Sequence, residues 1–509
     1  MQERWQKSPD PRGHSVMIGL EVHAQLTSLK TKLFCSCSAD YRSLPPNTSV
    51  CEVCLGLPGS LPRLNGRAVE EVLKIALALH SRPAEKSLFY RKHYFYPDMA
   101  KNFQISQYDR GGGVTVAQGG YMDVRVEHGT KRIRVRRVQL EEDVAKIVYP
   151  GSLMSSGYVM VDYNRAGVAL CEMVTEPDLS SPREARLFIE KYASVLEHLG
   201  VTNTSLEGSL RVDANVSIDG GERVELKNIN SPKDVERALN YEVQRQAMVM
   251  ERGGKIEMET RHWDELNKVT VAPRFKEGEE DYRYFPESDL PPFRVEPELL
   301  ERLIHSLPEL PDQRAERFVR ELGLTDYQAQ VLVSQKPLAD SFEELVHYGI
   351  SAPEAADWMM NEVLGDLAEA GLDVSVLPKL VPGIASLLKS LEREEVTGKM
   401  AKHALKQLVA TGRLPELSRP IRDRQELAAL VEDVLNQNPE VVRKAAADPK
   451  VVNYLVGQVM RRTKAKADPQ LVLSLMREAL ERKVAGEDKS EGEAAARRTF
   501  NLTRRSSRE

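Results

Sequence analysis

The sequence of 509 residues lacks the short motifs by which most nucleotide-binding and metal-dependent enzymes are recognised. Gly398-Lys399 is followed by Met400 and not by Ser or Thr, so there is no Walker A loop, and Gly111–Gly113 does not continue into a dinucleotide fingerprint. There is no His-Glu-x-x-His zincin helix and no protein-kinase signature set. If the chain handles ATP, it therefore does so with an uncommon fold.

Long apolar runs and an excess of positive charge are also missing. No run approaches the roughly 18–20 residues needed to span a bilayer, and residues 1–10 lack the apolar core of a signal peptide. We therefore expect a cytoplasmic protein without a membrane partner. The net charge of −5 argues against indiscriminate nucleic-acid binding, although local basic patches could still hold a tRNA-sized partner.

Cysteine is scarce, yet four of the five cysteines form two close pairs. Cys35 and Cys37 make the first pair, and Cys51 and Cys54 make the second. This knuckle-like spacing is typical of a tetrathiolate site for a structural Zn²⁺ ion at residues 35–54. The alternatives are four free thiols or two disulfides, which are rare in cytoplasmic proteins. Cys171 stands apart and is interpreted as a small buried hydrophobic residue.

Two segments alternate apolar and polar residues with the period of a β-strand. Residues 18–26 place Glu21, His23 and Gln25 on one face, and residues 210–218 place Arg211 and Asp213 on one face. The oxygen and imidazole donors on these faces suit Mg²⁺ or Mn²⁺. An ordinary solvated face is the alternative for either strand alone.

Three further segments, 138–143, 166–174 and 224–228, carry carboxylates in extended patterns. Glu172 is the only charge in an apolar run, so it needs an Arg partner, an edge position or a bound metal ion. Five such strands together predict a sheet whose polar face is an active site. The other polar side chains that share faces in these segments are Gln139, Glu141 and Asp143 in the first and Glu225 and Lys227 in the third.

The organisation along the chain predicts an α+β fold with a mostly antiparallel sheet, followed by helical regions. Residues 1–295 mix strands with helices, two of which begin at Ser181-Pro and Ser231-Pro. From residue 296 the chain consists of short amphipathic helices, with a second helical block from about 409 to 485. Residues 486–509 have almost no large apolar side chains, which predicts a disordered tail.

Two segments rich in cations have open interpretations. Residues 90–107 combine aromatic and basic side chains, which suits base stacking and phosphate contact or, alternatively, a loop that buttresses the core. The basic run between Arg125 and Arg137 is expected on a hairpin, either as a binding site or as a solvated strand face.

Several long motifs resemble the B subunits of the GatCAB tRNA-dependent amidotransferases, and the resemblance is collinear from about residue 15 to 483. Small departures are Cys171 beside Glu172 and Phe103 where the family pattern leads us to expect Tyr. The motifs that carry the resemblance are Ile18–His23, the cysteine quartet with Leu55–Gly59, Tyr94–Asp98, Gln104–Gln107, Leu140–Asp143, Val161–Arg165, Gly208–Asn215, Glu225–Ser231, Tyr282–Glu287 and Asn453–Met460 with Thr463–Lys466.

The resemblance implies a reaction and its partners. In this family the B subunit uses ATP to phosphorylate the side-chain carboxylate of Glu on tRNA(Gln) or of Asp on tRNA(Asn). Ammonia released from glutamine by the A subunit then displaces the phosphate, and a C subunit completes the heterotrimer. A glutamyl- or aspartyl-tRNA synthetase is a further possible partner. The implied fold is a cradle-shaped catalytic domain to residue 295, a helical domain at 296–408 and a tRNA-binding helical tail domain at 409–485.

The resemblance also assigns roles to the acidic cluster. Glu141, Glu172, Asp213 and Glu225 would be catalytic, and Arg211 and Lys227 would contact the nucleotide phosphates. The alternative for these two cations is structural ion pairing with Asp213 and Glu225. The implied metal ligands are His23, Glu141 and Glu172 for Mg²⁺, Glu21, Asp213 and Glu225 for a second, transient cation, and Cys35, Cys37, Cys51 and Cys54 for Zn²⁺.

Two other functional classes remain as alternatives. A non-catalytic tRNA-binding scaffold would have no use for six metal-type ligands on one sheet face, and it would retain activity in its complex after Glu141→Ala. A metallohydrolase would form product without ATP, but no water-activating base is evident apart from the ligands themselves.

Overall fold

The computed structural model describes residues 13–110, 113–127, 129–150, 156–272, 282–417, 421, 423–445, 449–463 and 466–483. The chain forms two compact units. The first contains the residues up to Glu321 together with Ala329–Lys336, and the second contains Leu322–Gln328 and the chain from Pro337 onward. The predicted disordered tail at 486–509 lies outside the described residues.

A ten-stranded sheet forms the first unit, and strand β1 lies near its middle. The order is β15-β14-β13-β12-β1-β11-β8-β6-β2, and β7 also pairs with β8. All of these neighbours are antiparallel except β13 and β14, so the prediction of a mostly antiparallel sheet is confirmed. The strands of this sheet are β1 (Val16–Gln25), β2 (Arg82–Pro83), β6 (Ala117–Gln118), β7 (Tyr121–Val126), β8 (Gly129–Glu142), β11 (Ala169–Thr175), β12 (Leu210–Ile218), β13 (Val224–Ile229), β14 (Glu259–Asp264) and β15 (Val269–Val271).

Short strands build three smaller sheets among the described residues. The pairings are β9 with β10, β3 with β17, and β4 with both β5 and β16. Their bounds are β3 (Lys86–Ser87), β4 (Tyr90–His93), β5 (Phe103–Ser106), β9 (Lys146–Val148), β10 (Met160–Asp162), β16 (Phe285–Pro286) and β17 (Phe293–Arg294).

Apolar residues of the alternating strands face the core of the first unit. Ile18, Val22 and Val216 are completely buried, and they share one apolar cluster with residues of helices α1 (Gly66–Ala78), α2 (Pro182–His198) and α3 (Pro232–Glu251). Because side chains alternate along a strand, burying this face leaves Glu21, His23 and Asp213 together on the opposite face.

Both predicted helix starts are confirmed. The Ser181 hydroxyl accepts a hydrogen bond from the Glu184 amide at 3.2 Å, and the Ser231 hydroxyl accepts one from the Asp234 amide at 3.1 Å. Each cap satisfies one of the amide groups that the first turn of a helix leaves unpaired. In both helices proline follows the cap, where its missing N–H costs nothing.

The first unit extends beyond the predicted boundary at residue 295. Leu303 of helix α4 (Pro297–Ser306) belongs to the same buried core as β1, and Lys191 of α2 pairs with Asp312 of helix α5 (Pro311–Leu322) at 2.5 Å. Helices that the sequence assigns to the next domain thus complete the first core.

Helices dominate the chain beyond Arg294, and the structure describes no strand there, only an isolated bridge between Ile421 and Ala467. Helices α12, α14 and α15 contribute to one buried apolar cluster. The remaining helices are α6 (Asp326–Leu332), α7 (Lys336–His347), α8 (Ala352–Trp358), a π-helical turn (Met359–Val363), α9 (Leu364–Glu369), a 3₁₀ turn (Val374–Val376), α10 (Leu377–Glu392), α11 (Gly398–Thr411), α12 (Arg424–Gln437), α13 (Pro439–Ala445), α14 (Pro449–Arg462) and α15 (469–483).

One helical segment meets the length and composition of a membrane span, contrary to the expectation that none would. It covers Val374–Glu392, with a mean hydropathy of 1.3. However, Leu380, Ile384 and Leu388 of this segment are buried within the protein. A core helix of a folded unit passes the same test, so the segment is weak evidence for a membrane.

Candidate active site and metal centres

Strand register brings together acidic residues that lie far apart in the sequence. On β1, His23 lies opposite Glu172 of β11 on one side and Arg211 of β12 on the other. Glu21 lies opposite Asp213 of β12. Directly opposite side chains on neighbouring strands have Cβ atoms roughly 4.5–5.5 Å apart. The polar faces of these central strands therefore form one continuous surface.

His23 is the centre of this surface. Its Nε2 atom lies 3.4 Å from Glu141 Oε1, 3.5 Å from Glu21 Oε1 and 3.6 Å from Glu172 Oε2. The potential ligand atoms of Glu21, His23 and Glu172 all lie within 4.8 Å of one another. Glu141 and Glu172 thus both lie beside His23, but the group whose ligand atoms are mutually close contains Glu21, which the sequence analysis assigned to the second cation, in place of Glu141.

These contacts shift the pKa values of His23 and Glu141 in opposite directions. Burial alone would lower the pKa of His23, but hydrogen bonds with Glu141 and Glu172 raise it well above its ordinary value. Burial also works against ionisation of Glu141, yet the adjacent His23 holds the pKa of that carboxyl below its ordinary value. The surrounding carboxylates thus favour a positive charge at His23, and a metal ion bound by its Nε2 atom would replace the proton there.

A second acidic group lies on β12 and β13. Lys227 Nζ is 3.7 Å from Glu225 Oε1 and 3.9 Å from Asp213 Oδ2, while Thr260 donates a hydrogen bond to Glu225 at 3.0 Å. Burial raises the pKa of Asp213 to about 6, against the lowering effect of Lys227. These distances agree with the alternative of structural ion pairing for Lys227.

Arg211 forms its ion pair with Asp143, whereas the structural alternative predicted pairing with Asp213 or Glu225. Its Nη2 atom donates to Asp143 Oδ1 at 2.7 Å, and Gln25 donates to the other oxygen of the same carboxylate at 2.8 Å. Arg165 lies 3.7 Å from Asp143 as well. Asp143, which the sequence analysis placed on the polar face but did not select, is therefore the anchor of Arg211.

Several residues that the sequence analysis did not select hold the carboxylates in place. Arg137 Nη2 donates to Glu172 Oε1 at 3.1 Å, and Gln139 donates to Glu172 Oε2 at 2.9 Å. Ser106 donates to Glu141 Oε2 at 2.8 Å. The period-two pattern of β8 could have revealed Arg137, since it alternates in step with Gln139 and Glu141. Glu172 accordingly has the Arg partner of the simpler interpretation as well as the histidine neighbour of the metal-site interpretation.

Lys92 is another cation that the sequence analysis missed. Although burial works against its charge, the electrostatic influence of Tyr284 and Glu141 raises the pKa of Lys92 well above its ordinary value. Its ammonium group lies 4.9 Å from the centre of the Tyr282 ring, within cation–π distance. Lys92 belongs to the aromatic and basic segment at 90–107, whose composition left its role open.

The basic run from residue 125 to 137 lies on the β7–β8 hairpin, as expected. Arg132 pairs with Asp123, Arg134 with Asp178, and both arginines are at least half exposed. These ion pairs favour the interpretation as a solvated strand face for this part of the run.

The four clustered cysteines form a separate site. All five cysteines are free thiols, so the disulfide alternative is excluded. The Sγ atoms of the quartet all lie within 4.8 Å of one another, and those of Cys51 and Cys54 are 3.8 Å apart. A hydrogen bond with Cys35 lowers the pKa of Cys54 to about 4, against the effect of burial. Cys171 is completely buried in the main core, which confirms its interpretation as a small hydrophobic residue.

Both donor sets fit the metals that were predicted from the sequence. Thiolates about 2.3 Å from a tetrahedral Zn²⁺ ion would be roughly 3.8 Å apart, the separation of Cys51 and Cys54. Ligands about 2.1 Å from an octahedral Mg²⁺ ion would be roughly 3–4 Å apart, as His23 Nε2 is from its neighbouring carboxylates. The sheet face could therefore position anionic phosphates through a cation, and the cysteine site could stabilise the fold.

Comparisons with known proteins agree over nearly the whole chain. Residues 16–301 match the model of the GatB/GatE catalytic domain, and residues 340–480 match that of the GatB domain. Similar proteins, named as B subunits of aspartyl/glutamyl-tRNA(Asn/Gln) amidotransferase, occur in Saccharolobus solfataricus, 51% identical over 88% of this chain and 96% of that protein, and in Sulfolobus acidocaldarius, 50% identical over 91% and 99%. The protein of the same name from Thermotoga maritima is 45% identical over 91% of this chain and 98% of its own.

Proposed function

The chain belongs to the family of aspartyl/glutamyl-tRNA(Asn/Gln) amidotransferase B subunits, and from this we infer how its polar sheet face carries out the family's reaction. The reaction converts Glu-tRNA(Gln) or Asp-tRNA(Asn) into Gln-tRNA(Gln) or Asn-tRNA(Asn) at the expense of ATP. The chain is an ATP-dependent amidotransferase subunit, a carbon–nitrogen ligase. The observation that carries the residue assignment is the convergence of Glu21, Glu141 and Glu172 on His23.

Two bond exchanges make up the reaction. An oxygen of the substrate's side-chain carboxylate attacks the γ-phosphorus of ATP, and the bond between that phosphorus and the ADP oxygen breaks. Ammonia then attacks the activated carbonyl carbon, phosphate leaves with the former carboxylate oxygen, and a proton is lost to give the amide. Activation is required because a carboxylate does not accept ammonia while its leaving group is oxide.

His23, Glu141 and Glu172 are the proposed Mg²⁺ ligands, with Glu21 close enough to join them. When bound, the ion neutralises phosphate charge and helps to align the two anionic substrates. Ser106, Gln139 and Arg137 orient the two buried carboxylates through the hydrogen bonds described above. Such support matters because ligand side chains must be held within about 0.5 Å of the productive geometry.

The second group is assigned to the phosphate end of the nucleotide. Glu21, Asp213 and Glu225 are the proposed ligands of a second, transient cation, and Lys227 and Arg211 are the proposed phosphate contacts. Lys227 lies between the two carboxylates at 3.7–3.9 Å, longer than a close hydrogen bond, so an anionic phosphate could draw its ammonium group away. Asp143 fixes the position of the Arg211 guanidinium.

The wider architecture and assembly are part of the proposal. We assign the first compact unit, which extends to Glu321, to a catalytic cradle, and the helical chain that follows to a helical domain and a tail domain at 409–485 that contacts tRNA. The family name implies a heterotrimer with A and C subunits and misacylated tRNA as substrate, while a synthetase partner and a cytoplasmic location are further proposals. Zn²⁺ is the proposed ion of the cysteine site, since four thiolates suit its tetrahedral coordination.

Amide formation by the chain assembled with its A and C partners tests this function. The assay supplies Glu-tRNA(Gln) and Asp-tRNA(Asn) separately, with ATP, Mg²⁺ and ammonium, so that the glutaminase step is bypassed. We expect product that requires ATP and disappears with Glu141→Ala. Equal product from wild type and Glu141→Ala would favour the scaffold alternative, and product without ATP would favour a hydrolase.

A further inference from the structure

A completely buried lysine lies against the cysteine quartet. The Lys32 side chain is 0% exposed, although it follows the central strand β1 by only a few residues. Its ammonium group donates to the Ser49 carbonyl at 2.8 Å and lies 3.7 Å from Cys54 Sγ. Within the described part of the chain, no carboxylate oxygen is in ion-pairing distance of this ammonium group.

The backbone closes this pocket around the lysine. Gly167 has φ +86°, and a Cβ atom there would lie 3.5 Å from Lys32 Cδ and 3.4 Å from Cys54 Cβ. The Leu33 amide donates to the Gly167 carbonyl at 2.9 Å, and the Lys32 amide donates to the Cys37 carbonyl at 3.0 Å. The lysine stem is thus fixed between the cysteine loop and the end of the central sheet.

Glu142 borders the same pocket, with its Oε2 atom 3.9 Å from the Gly167 Cβ position, but this carboxylate pairs with Lys101 at 2.5 Å. A buried ammonium group that no anion pairs with is strongly unfavourable, because neither water nor a counter-charge stabilises it. Four thiolates around a divalent cation carry a formal charge of −2, and Cys54, the thiol nearest to Lys32, is the buried member of the quartet, where an unbalanced charge is costly. Lys32 would bring the sum to −1 and would place an N–H group toward the sulfur of Cys54. Each charged group therefore makes burial of the other less costly.

We propose that Lys32 is the internal counter-charge of the four-cysteine site and that it tunes the affinity of this site for Zn²⁺. This inference rests on the proposed zinc site and adds a positioning residue that is not itself a ligand. Partners that surround metal ligands typically change metal affinity by about 10–100-fold when they are removed. We expect a loss of this size because the lysine charge is fully enclosed.

The test measures zinc affinity of the full chain by competition with a chromophoric chelator. We compare wild type with Lys32→Met, which keeps the length of the stem, and with Lys32→Gln, which keeps an N–H donor for the Ser49 carbonyl. Lys30→Met is the matched control, since Lys30 lies two residues away and is exposed. Both Lys32 variants should bind zinc at least about tenfold more weakly, and Lys30→Met should match wild type.

Thermal unfolding with and without zinc separates this role from simple packing. A counter-charge predicts that Lys32→Met lowers the stability of the zinc-loaded protein more than that of the zinc-free protein, whereas a packing role predicts equal losses. Wild-type zinc affinity in Lys32→Met, or in Lys32→Gln alone, would contradict the counter-charge. Absence of zinc binding by wild type would instead overturn the proposed zinc site, and the inference with it.

Discussion

Two clusters of carboxylates and cations in the first unit, one on the sheet face around His23 and one between helix α3 and the strands β14 and β15, differ in how closely their charges are matched. Glu242 of α3 is completely buried, and Arg245 contacts both of its oxygens at 2.7 and 2.9 Å. Gln246 and Thr270 donate to the same carboxylate at 3.0 Å each. Around His23, by contrast, the imidazole contacts Glu21, Glu141 and Glu172 only at 3.4–3.6 Å.

The distances between opposite charges help to distinguish a structural ion pair from a candidate ligand site. At Glu242, short contacts satisfy the carboxylate within the protein, as a buried charge requires. On the His23 face, neighbouring side chains hold Glu172 and Glu141 through contacts of 2.8–3.1 Å. The imidazole of His23 nevertheless faces three carboxylates at 3.4–3.6 Å, and Lys227 remains 3.7–3.9 Å from its neighbours. In the proposed reaction cations and phosphates bind at the His23 face, so we expect its internal charge matching to be incomplete.

Removing one carboxylate from the His23 face should have the largest effect, and it should affect activity. Glu141→Gln keeps the shape of the side chain but removes its charge. We expect ATP-dependent amide formation to fall about a thousandfold, or about 4 kcal/mol of transition-state stabilisation, because a metal contributes several kcal/mol to such a step. The thermal midpoint should stay near that of wild type. A strongly destabilised Glu141→Gln protein would show that this carboxylate is structural.

The same change at Glu242 should affect stability instead. Glu242→Gln removes the completely buried carboxylate that Arg245 and Arg261 share and leaves them only Glu259 as an anionic partner. We expect a loss of about 3 kcal/mol in the free energy of unfolding. Amide formation per folded molecule should be unchanged. Denaturant unfolding measures the loss of stability, and the amide assay is run on the same preparation. A loss of activity without a loss of stability would contradict the structural role of Glu242.

Lys227 tests the phosphate side of the His23 face. Lys227→Gln should lower kcat/KM for ATP about 10–100-fold, because a hydrogen bond to a charged group contributes roughly 1.5–3 kcal/mol. If Lys227 serves only to neutralise Asp213 and Glu225, the variant should bind ATP as wild type does and lose stability instead. Steady-state kinetics at varied ATP, together with thermal unfolding, distinguishes these outcomes.

The surface ion pair of Asp178 and Arg134 should have the smallest effect on stability, and this effect should depend on pH. Burial would raise the pKa of Asp178, but three hydrogen bonds from Arg134 hold it below its ordinary value. A depressed pKa stabilises the fold above the unfolded-state value of about 3.9, and this contribution is lost as pH falls through the folded pKa. Asp178→Asn should cost about 1 kcal/mol at pH 7, since Arg134 is largely exposed.

Acid titration of unfolding checks the sign of that prediction. The stability difference between wild type and Asp178→Asn should shrink below about pH 4. A difference that grows in acid would mean that the carboxylate is stabilised in its protonated form in the fold.

Local alternation was enough to predict which side chains share a face of β1 and β12, because the period of a strand is set by backbone geometry. The capping sequences at Ser181-Pro and Ser231-Pro likewise predicted both helix starts. Alternation could not show that β11 pairs with β1, so the contact between Glu172 and His23 depended on the resemblance to relatives. The sequence analysis did not identify Lys92 and Lys32, because neither lies in an alternating strand of the central sheet. The burial of both side chains depends on segments that are distant in sequence.

The domain boundary shows a different limit of sequence reasoning. The composition changes near residue 295, where strands give way to helices. Leu303 nevertheless packs into the first core, because a helix joins whichever apolar surface remains uncovered. A change of composition records secondary structure, whereas a compact unit is defined by packing.

The most direct measurement is rapid-quench formation of ADP from ATP by the assembled complex with Glu-tRNA(Gln) and no nitrogen donor. This isolates the phosphoryl transfer that we assign to the His23 face. We predict a burst of ADP that depends on the charged tRNA in wild type and in Glu242→Gln, and no burst in Glu141→Gln. A burst of wild-type size and rate in Glu141→Gln would contradict that assignment.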